Sequence, residues 1–268
     1  MAELPEEIRR FYEAGLEDGR LQEGTGVLER VRTQDVLQRV LPRPPARVLD
    51  VGGGTGPYTR WLAGLGYEAH LVDPVATHVE HARSQGGGIA SAKVGDARHL
   101  EDADASADAV LLLGPLYHLQ ASADRLAALR EAARVVRPGG VVVAAAISRF
   151  ASLLDGLVTG ALDDPAFRAI VAQDLEDGRH LNPTGRLEYF TTAYFHRPEE
   201  LADEGARAGL TVEGVRAVEG PAWLMADFAA RFADPERRAH ILDLLRRIET
   251  EPALLAVSAH LLLVARRA

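Results

Sequence analysis

The stretch Arg47-Val48-Leu49-Asp50-Val51-Gly52-Gly53-Gly54-Thr55-Gly56-Pro57-Tyr58 constrains this chain more than any other. An apolar, β-branched run leads into four glycines within five positions, and a helical pattern follows. That is the order of a buried parallel strand, a tight turn and a helix N-terminus. Glycine lets the backbone take positive φ and lets a ligand lie directly against the main chain. The first N–H groups of the helix favour an electron-rich or anionic partner. A nucleotide-like ligand is therefore expected.

The pattern around the loop repeats. Strands are predicted at 47–51, 67–72, 89–94, 108–113 and 141–147, separated by helical patterns at 57–65, 76–84 and 121–136. Gly66 ends the first helix, Gly86-Gly87-Gly88 forms a turn, and Pro138-Gly139-Gly140 turns the chain into the fifth strand. Strands spaced this way imply right-handed βαβ units and an α/β fold with a mostly parallel sheet. Ahead of it, Ile8, Phe11, Tyr12 and Leu16, then 27–40, carry helical spacing. After Ser148 the alternation stops until a helix at 198–208, a strand at 210–218, a helix at 225–248 and a last strand at 256–266. The stretch between is too long for an ordinary connection and reads as an insertion.

Ligands of open α/β sheets sit beyond the carboxyl ends of the strands. The first strand brings Asp50 and the glycine loop. The second ends in Asp73 and Pro74, and a carboxylate there suits the two hydroxyls of a ribose. The third ends in Asp96-Ala97, placed for an exocyclic amine. The fourth ends at Gly114, whose surroundings offer carbonyls to an ammonium group. No Lys-Ser/Thr follows Gly56, which excludes a P-loop. The position of a third dinucleotide glycine is Pro57, which counts against a nicotinamide-dependent oxidoreductase.

Composition narrows the partners. The formal net charge is −9, with basic residues scattered among acids, which opposes broad binding to nucleic-acid phosphates. The absence of cysteine removes disulfides, thiolate metal sites and a Cys nucleophile. His78 and His81 lie three apart on a helix without a carboxylate pattern, so no metal is expected. The N-terminus lacks a secretion signal, and the longest apolar run, 254–264, is interrupted by Ser258 and His260. A soluble, cytoplasmic protein, monomer or homodimer, acting without nucleic acid or membrane, is expected.

The segments 48–56, Asp73, Gly95-Asp96-Ala97 and Arg137-Pro138-Gly139-Gly140 together resemble the class I S-adenosylmethionine-dependent methyltransferases, over about residues 46–147. Many members carry Cys or Ser where Gly53 stands, and a position that uses mainly backbone should tolerate the change. The resemblance implies a Rossmann-like seven-stranded sheet of order 3-2-1-4-5-7-6 with the last strand antiparallel. From the residues themselves, the N-terminal helices at 1–45 read as a lid or as a cover over a sheet edge, 46–148 as the cofactor-binding core, 149–197 as an inserted cap, and 198–268 as the rest of the sheet. S-adenosylmethionine would be the cofactor and S-adenosylhomocysteine the product. Asp50, Gly52, Gly53, Gly54, Thr55 and Gly56 would hold the methionine moiety, Asp73 with Pro74 the ribose, and Asp96 with Ala97 the adenine. Gly114 would lie near the amino group, and Tyr12 and Arg20 would close over the cofactor from the lid. The stretch 114–119 looks like a group of bacterial small-molecule methyltransferases.

Methyl transfer needs alignment, exclusion of water and sometimes removal of a proton. Tyr117 and His118, after the fourth strand, are the expected catalytic pair and also substrate contacts. His180, Asn182, Tyr189, Tyr194 and His196 in the cap are further expected substrate contacts. A binding or regulatory protein that keeps the cofactor pocket without chemistry is the alternative from another class.

Overall fold

The computed structural model describes residues 7–8 and 17–268. Phe11, Leu16 and the expected cofactor contact Tyr12 lie outside these residues. Five parallel strands form the middle of the sheet: β1 (Arg47–Val51), β2 (Glu68–Asp73), β3 (Ser91–Val94), β4 (Ala107–Leu112) and β5 (Val136–Ser148). They lie in the order β3-β2-β1-β4-β5. After β5 come the helices Ala151–Thr159 and Pro165–Asp177, then β6 (Arg179–His180) and β7 (Ala193–His196). β7 runs parallel to the end of β5 through Ile147 and Ser148, and β6 is antiparallel to β7. β8 (Leu210–Ala217) and β9 (His260–Arg267) complete the sheet, with β9 antiparallel to both β5 and β8. Counting β1–β5, β8 and β9 in chain order gives 3-2-1-4-5-7-6 with the last strand antiparallel, as expected.

Both faces of the sheet are covered, which is why its strands read as nearly unbroken apolar runs. On one face Leu49, Val51, Val110, Leu112 and Val142 meet Leu129 and Leu201 of the helices Ser122–Val135 and Pro198–Arg207. On the other, Val48, Ala109, Leu111 and Val143 meet Leu62 of the helix Pro57–Gly64 and Val36, Leu37 and Val40 of the helix Gly26–Val40. The latter half of the N-terminal segment is thus a layer of the core, whereas Ile8, Arg20 and Leu21 reach the cavity described below.

Three local expectations change. The turn at Pro138-Gly139-Gly140 is looped out within β5: Ala107 pairs with Val136, but Ala109 pairs with Val141. The helix expected at 225–248 is two helices, Phe228–Ala233 and Pro235–Ile248. Pro235 cannot continue the preceding helix, and the Asp234 carboxylate caps the new one through Arg237 N at 2.9 Å. The last strand starts at His260, because Pro252–Leu255 forms a helical turn.

Candidate functional site

A cavity of about 380 Å³ opens at the carboxyl ends of β1, β2, β3 and β4. The glycine loop forms its floor. Gly54 has φ +58, and a Cβ built there would meet no heavy atom within 4 Å, so the space beside its main chain is left open. Gly53 is the opposite case. A Cβ would lie 2.5 Å from Leu71 Cδ1 and 2.6 Å from Asp50 Oδ2. In this chain Gly53 does not tolerate a side chain, because β2 and Asp50 press on the loop from behind.

Asp50 lies under that loop and is absent from the cavity wall. It is fully buried, and its Oδ2 accepts from Thr59 Oγ1 at 2.6 Å in the following helix. Burial pushes its carboxyl up to about 6; the Thr59 bond opposes the rise and the nearby Asp73 charge adds to it. Gly56 is likewise outside the lining, whereas Gly52, Gly53, Gly54 and Thr55 are within it.

Asp73 is buried and faces the cavity beside Pro74. Its Oδ2 accepts from Gly54 N at 2.9 Å, and its Oδ1 from Val75 N at 3.0 Å. His78 Nδ1 stands 3.1 Å from Oδ1. A carboxylate offers about four acceptor sites. With two of these neighbours on Oδ1 and one on Oδ2, Oδ2 keeps acceptor capacity for a hydroxyl. His78 is the residue that sequence reasoning passed over. It is buried on the cavity wall while His81 faces solvent, and its place in the first turn after β2 is the signal that marks it.

Asp96 and Ala97 line the cavity, and Asp96 is already engaged. Arg98 Nε lies 3.0 Å from its Oδ1 and Nη2 2.7 Å from its Oδ2. Arg98 Nη1 also reaches Asp124 Oδ2 at 3.3 Å. Burial would raise the Asp96 carboxyl, but the Arg98 bonds and charge hold it below the usual range. Gly114 backs onto the glycine loop: a Cβ there would come within 2.6 Å of Gly52 O.

Tyr117 and His118 end the short turn Leu116–His118 and line the cavity. Their rings meet edge to face at 4.6 Å. Burial pushes the His118 imidazole down to about 4, against a hydrogen bond with the Thr192 backbone and the Asp73 charge. It is therefore neutral at pH 7, a hydrogen-bonding group and a weak base. Phe190, at 6.1 Å from the ring of His118, holds φ +63 and ψ −172, a conformation that non-glycine residues rarely adopt.

The structure does not bring the five cap residues to the cavity. His180 is buried between Asp174 (3.0 Å) and Tyr189 O (2.8 Å). Asn182 donates to Arg186 O and Phe190 O. The Tyr189 hydroxyl donates to Asp164 at 2.8 Å, and Arg125 stacks 3.6 Å from the Tyr194 ring centroid. His196 Nε2 faces Glu204 Oε2 at 3.2 Å. His180, Asn182 and Tyr189 find their partners within the insertion, whereas Tyr194 and His196 tie it to the helices Ser122–Val135 and Pro198–Arg207. Arg20 does line the cavity, paired with Glu29.

A family model described as a methyltransferase domain matches residues 49–144. The O-methyltransferase cnsE of Penicillium expansum is 36% identical over 136 residues, 48% of this chain and 48% of that protein. The ubiquinone/menaquinone biosynthesis C-methyltransferase UbiE of Acidiphilium cryptum is 30% identical over 207 residues, 72% of this chain and 77% of that one. Shorter matches to the core include a human protein named for tRNA methylation, 33% identical over 111 residues, 41% of this chain and 22% of that one. The chain spans about half the length of cnsE and of GfsG, a Streptomyces halstedii methyltransferase (48% and 46%). Among solved structures, a S-adenosylmethionine-dependent methyltransferase from Methanosarcina mazei aligns over 87% of this chain and 96% of its own, with a TM-score of 0.59 and 18% identity.

Proposed function

From the premise that this chain belongs to the class I S-adenosylmethionine-dependent methyltransferases, we propose that its cavity binds S-adenosylmethionine and delivers the methyl group to a small-molecule acceptor. The observation that carries the reading is Asp73, a carboxylate that lines the cavity beside the uncrowded main chain of Gly54 and keeps acceptor capacity on Oδ2. Gly52, Gly53, Gly54 and Thr55 would hold the methionine moiety, Asp73 with Pro74 the ribose, and Asp96 with Ala97 the adenine edge. Asp50 supports the loop from beneath without touching the ligand. Arg20 would meet the α-carboxylate, and Gly114 would border the amino group.

When bound, the cofactor supplies a methyl group on a sulfonium, which an in-line nucleophile displaces. The chain's part is alignment and a dry site. Tyr117 and His118 bound the side after β4 and would orient the acceptor. With its ring neutral, His118 can accept a hydrogen bond from an acceptor hydroxyl or amine and steady its lone pair toward the methyl carbon. A group this weakly basic orients more than it removes protons. The excess negative charge supports a small acceptor over RNA.

The test is release of S-adenosylhomocysteine from S-adenosylmethionine, followed by chromatography, with panels of phenols, hydroxy acids, amines and quinols, and with bulk tRNA as a separate arm. Turnover with a small acceptor is expected. Turnover confined to tRNA would overturn the acceptor class. Tight cofactor binding with no turnover in any arm would favour the regulatory reading.

A further inference from the structure

Four charged groups from four parts of the chain stand in a row behind the cavity wall. Arg20 ends the helical turn Glu17–Arg20, Glu29 belongs to the first turn of Gly26–Val40, Glu219 follows β8, and His260 opens β9. The Arg20 guanidinium forks onto Glu29, Nη1 to Oε2 and Nη2 to Oε1, the second at 3.0 Å. Behind Glu29, His260 Nδ1 lies 3.8 Å from Glu29 Oε2 and 2.7 Å from Glu219 Oε1. Glu219 is buried, and its Oε2 accepts from Ser258 Oγ at 2.8 Å and His260 N at 2.9 Å. The turn that brings Arg20 to Glu29 is closed tightly: a Cβ on Gly26 would run into the Arg20 carbonyl oxygen.

The signs alternate along the row. Burial alone would lower the His260 imidazole, but Glu29 and Glu219 raise it to about 9, so it is charged at neutral pH. Burial likewise opposes ionisation of Glu29, and the charges of His260 and Arg20 overcome it. His260, held between Glu29 and Glu219, compensates the Glu29 carboxylate from behind and so favours the ionised form that forks onto Arg20.

Arg98, the other arginine on the cavity wall, is engaged by Asp96 and Asp124 at the end expected for the base. We propose that Glu29 is a positioning residue, holding the Arg20 guanidinium at the cavity wall for the α-carboxylate of the methionine moiety, with His260 and Glu219 bracing Glu29 from behind. This rests on the cofactor reading above. A metal ion is the competing occupant, since ligand atoms of Glu29, Glu219 and His260 lie within 4.8 Å of one another. It would have to displace the Arg20 fork and the donors to Glu219, so the ion-pair row is the better account.

The full chain is titrated calorimetrically with S-adenosylhomocysteine and with 5′-methylthioadenosine, which keeps the nucleoside and thioether and lacks the carboxylate. Glu29→Gln should weaken the first by about tenfold and leave the second unchanged, with Glu29→Asp recovering part of the loss. Arg20→Gln should give the same pattern, and Glu29→Gln should add little in its background. Should Glu29→Gln not fold, His260→Gln reads out the same selectivity. Equal losses for both ligands would overturn the proposal, as would an effect of Arg20→Gln that Glu29 and His260 variants do not share. Loss of homocysteine-ligand affinity in chelator, restored by zinc, would assign the cluster to a metal and overturn it too. A wild-type protein that binds neither ligand would instead refute the cofactor reading beneath it.

Discussion

Replacing Asp73 with alanine should weaken S-adenosylhomocysteine binding and loosen the glycine loop together, and the two effects can be separated. In the chain itself the carboxylate serves Gly54 N, Val75 N and His78. A hydrogen bond to a charged group contributes about 1.5–3 kcal/mol. The acceptor capacity left on Oδ2 therefore sets the ribose contribution at about 10- to 100-fold in affinity. The two backbone donors left without an acceptor should cost about 2–4 kcal/mol of stability if water does not reach them. In a domain of this size that lowers Tm by roughly 5–10 °C. The assay is a cycle: wild type and Asp73→Ala, each titrated with S-adenosylhomocysteine and with its 2′,3′-dideoxy analogue, with melting curves run alongside. Wild type should discriminate between the ligands and the variant should not. If wild type binds both equally, and the variant loses the same factor for each, Asp73 acts through the loop alone and the ribose assignment is wrong.

The remaining expectations concern its neighbours. His78→Leu should weaken S-adenosylhomocysteine several-fold with the fold kept; calorimetry showing no change would remove His78 from the site. Gly53→Ala should destabilise the protein by about 1–3 kcal/mol through overpacking against Leu71 and Asp50, with partial rescue by Leu71→Ala in denaturant melts. His118→Ala should abolish turnover and retain cofactor affinity, and normal turnover would end its assignment. His260 has its folded pKa raised from 6.5 to about 9, so the stability it contributes is complete below its unfolded value and is lost as pH rises through the folded one. Urea midpoints should therefore fall between about pH 7 and 10, and His260→Gln should flatten that limb.

The sheet was legible because buried parallel strands write themselves as apolar runs broken by glycine, and the three strand-end aspartates sit in the same short segments. Arg98 went unread, although it stands two positions from Asp96, and its guanidinium forks onto that carboxylate. The break at Pro235 went unread, although a proline cannot continue the helix before it. The cap was opaque for a physical reason. His180, Tyr194 and His196 are types that catalyse as readily as they pack. What decides is the partner: Asp174 and Glu204 stand six and eight positions away on neighbouring helices, and Arg125 comes from the distant helix Ser122–Val135. Residue type without its neighbour's burial carries no role.

The glycine loop shows how demands of ligand and fold divide among adjacent positions. Gly54 is open on its outer side, so what forbids a side chain there is positive φ and whatever lies in the cavity. Gly53 is forbidden a side chain by the chain itself, since Asp50 and Leu71 fill the space behind it. The two carboxylates divide in the same way. Asp50, sealed beneath the loop and bonded to Thr59, is pushed toward its neutral form. Asp73, at the front, is surrounded by donors from Gly54, Val75 and His78. Burial is the larger cause of the rise at Asp50, and the charge of Asp73 on the other side of the loop adds to it. The loop is thus gripped from behind by the buried Asp50, bonded to Thr59, and offered to the cavity beside Asp73, which ties Gly54 N to the end of β2.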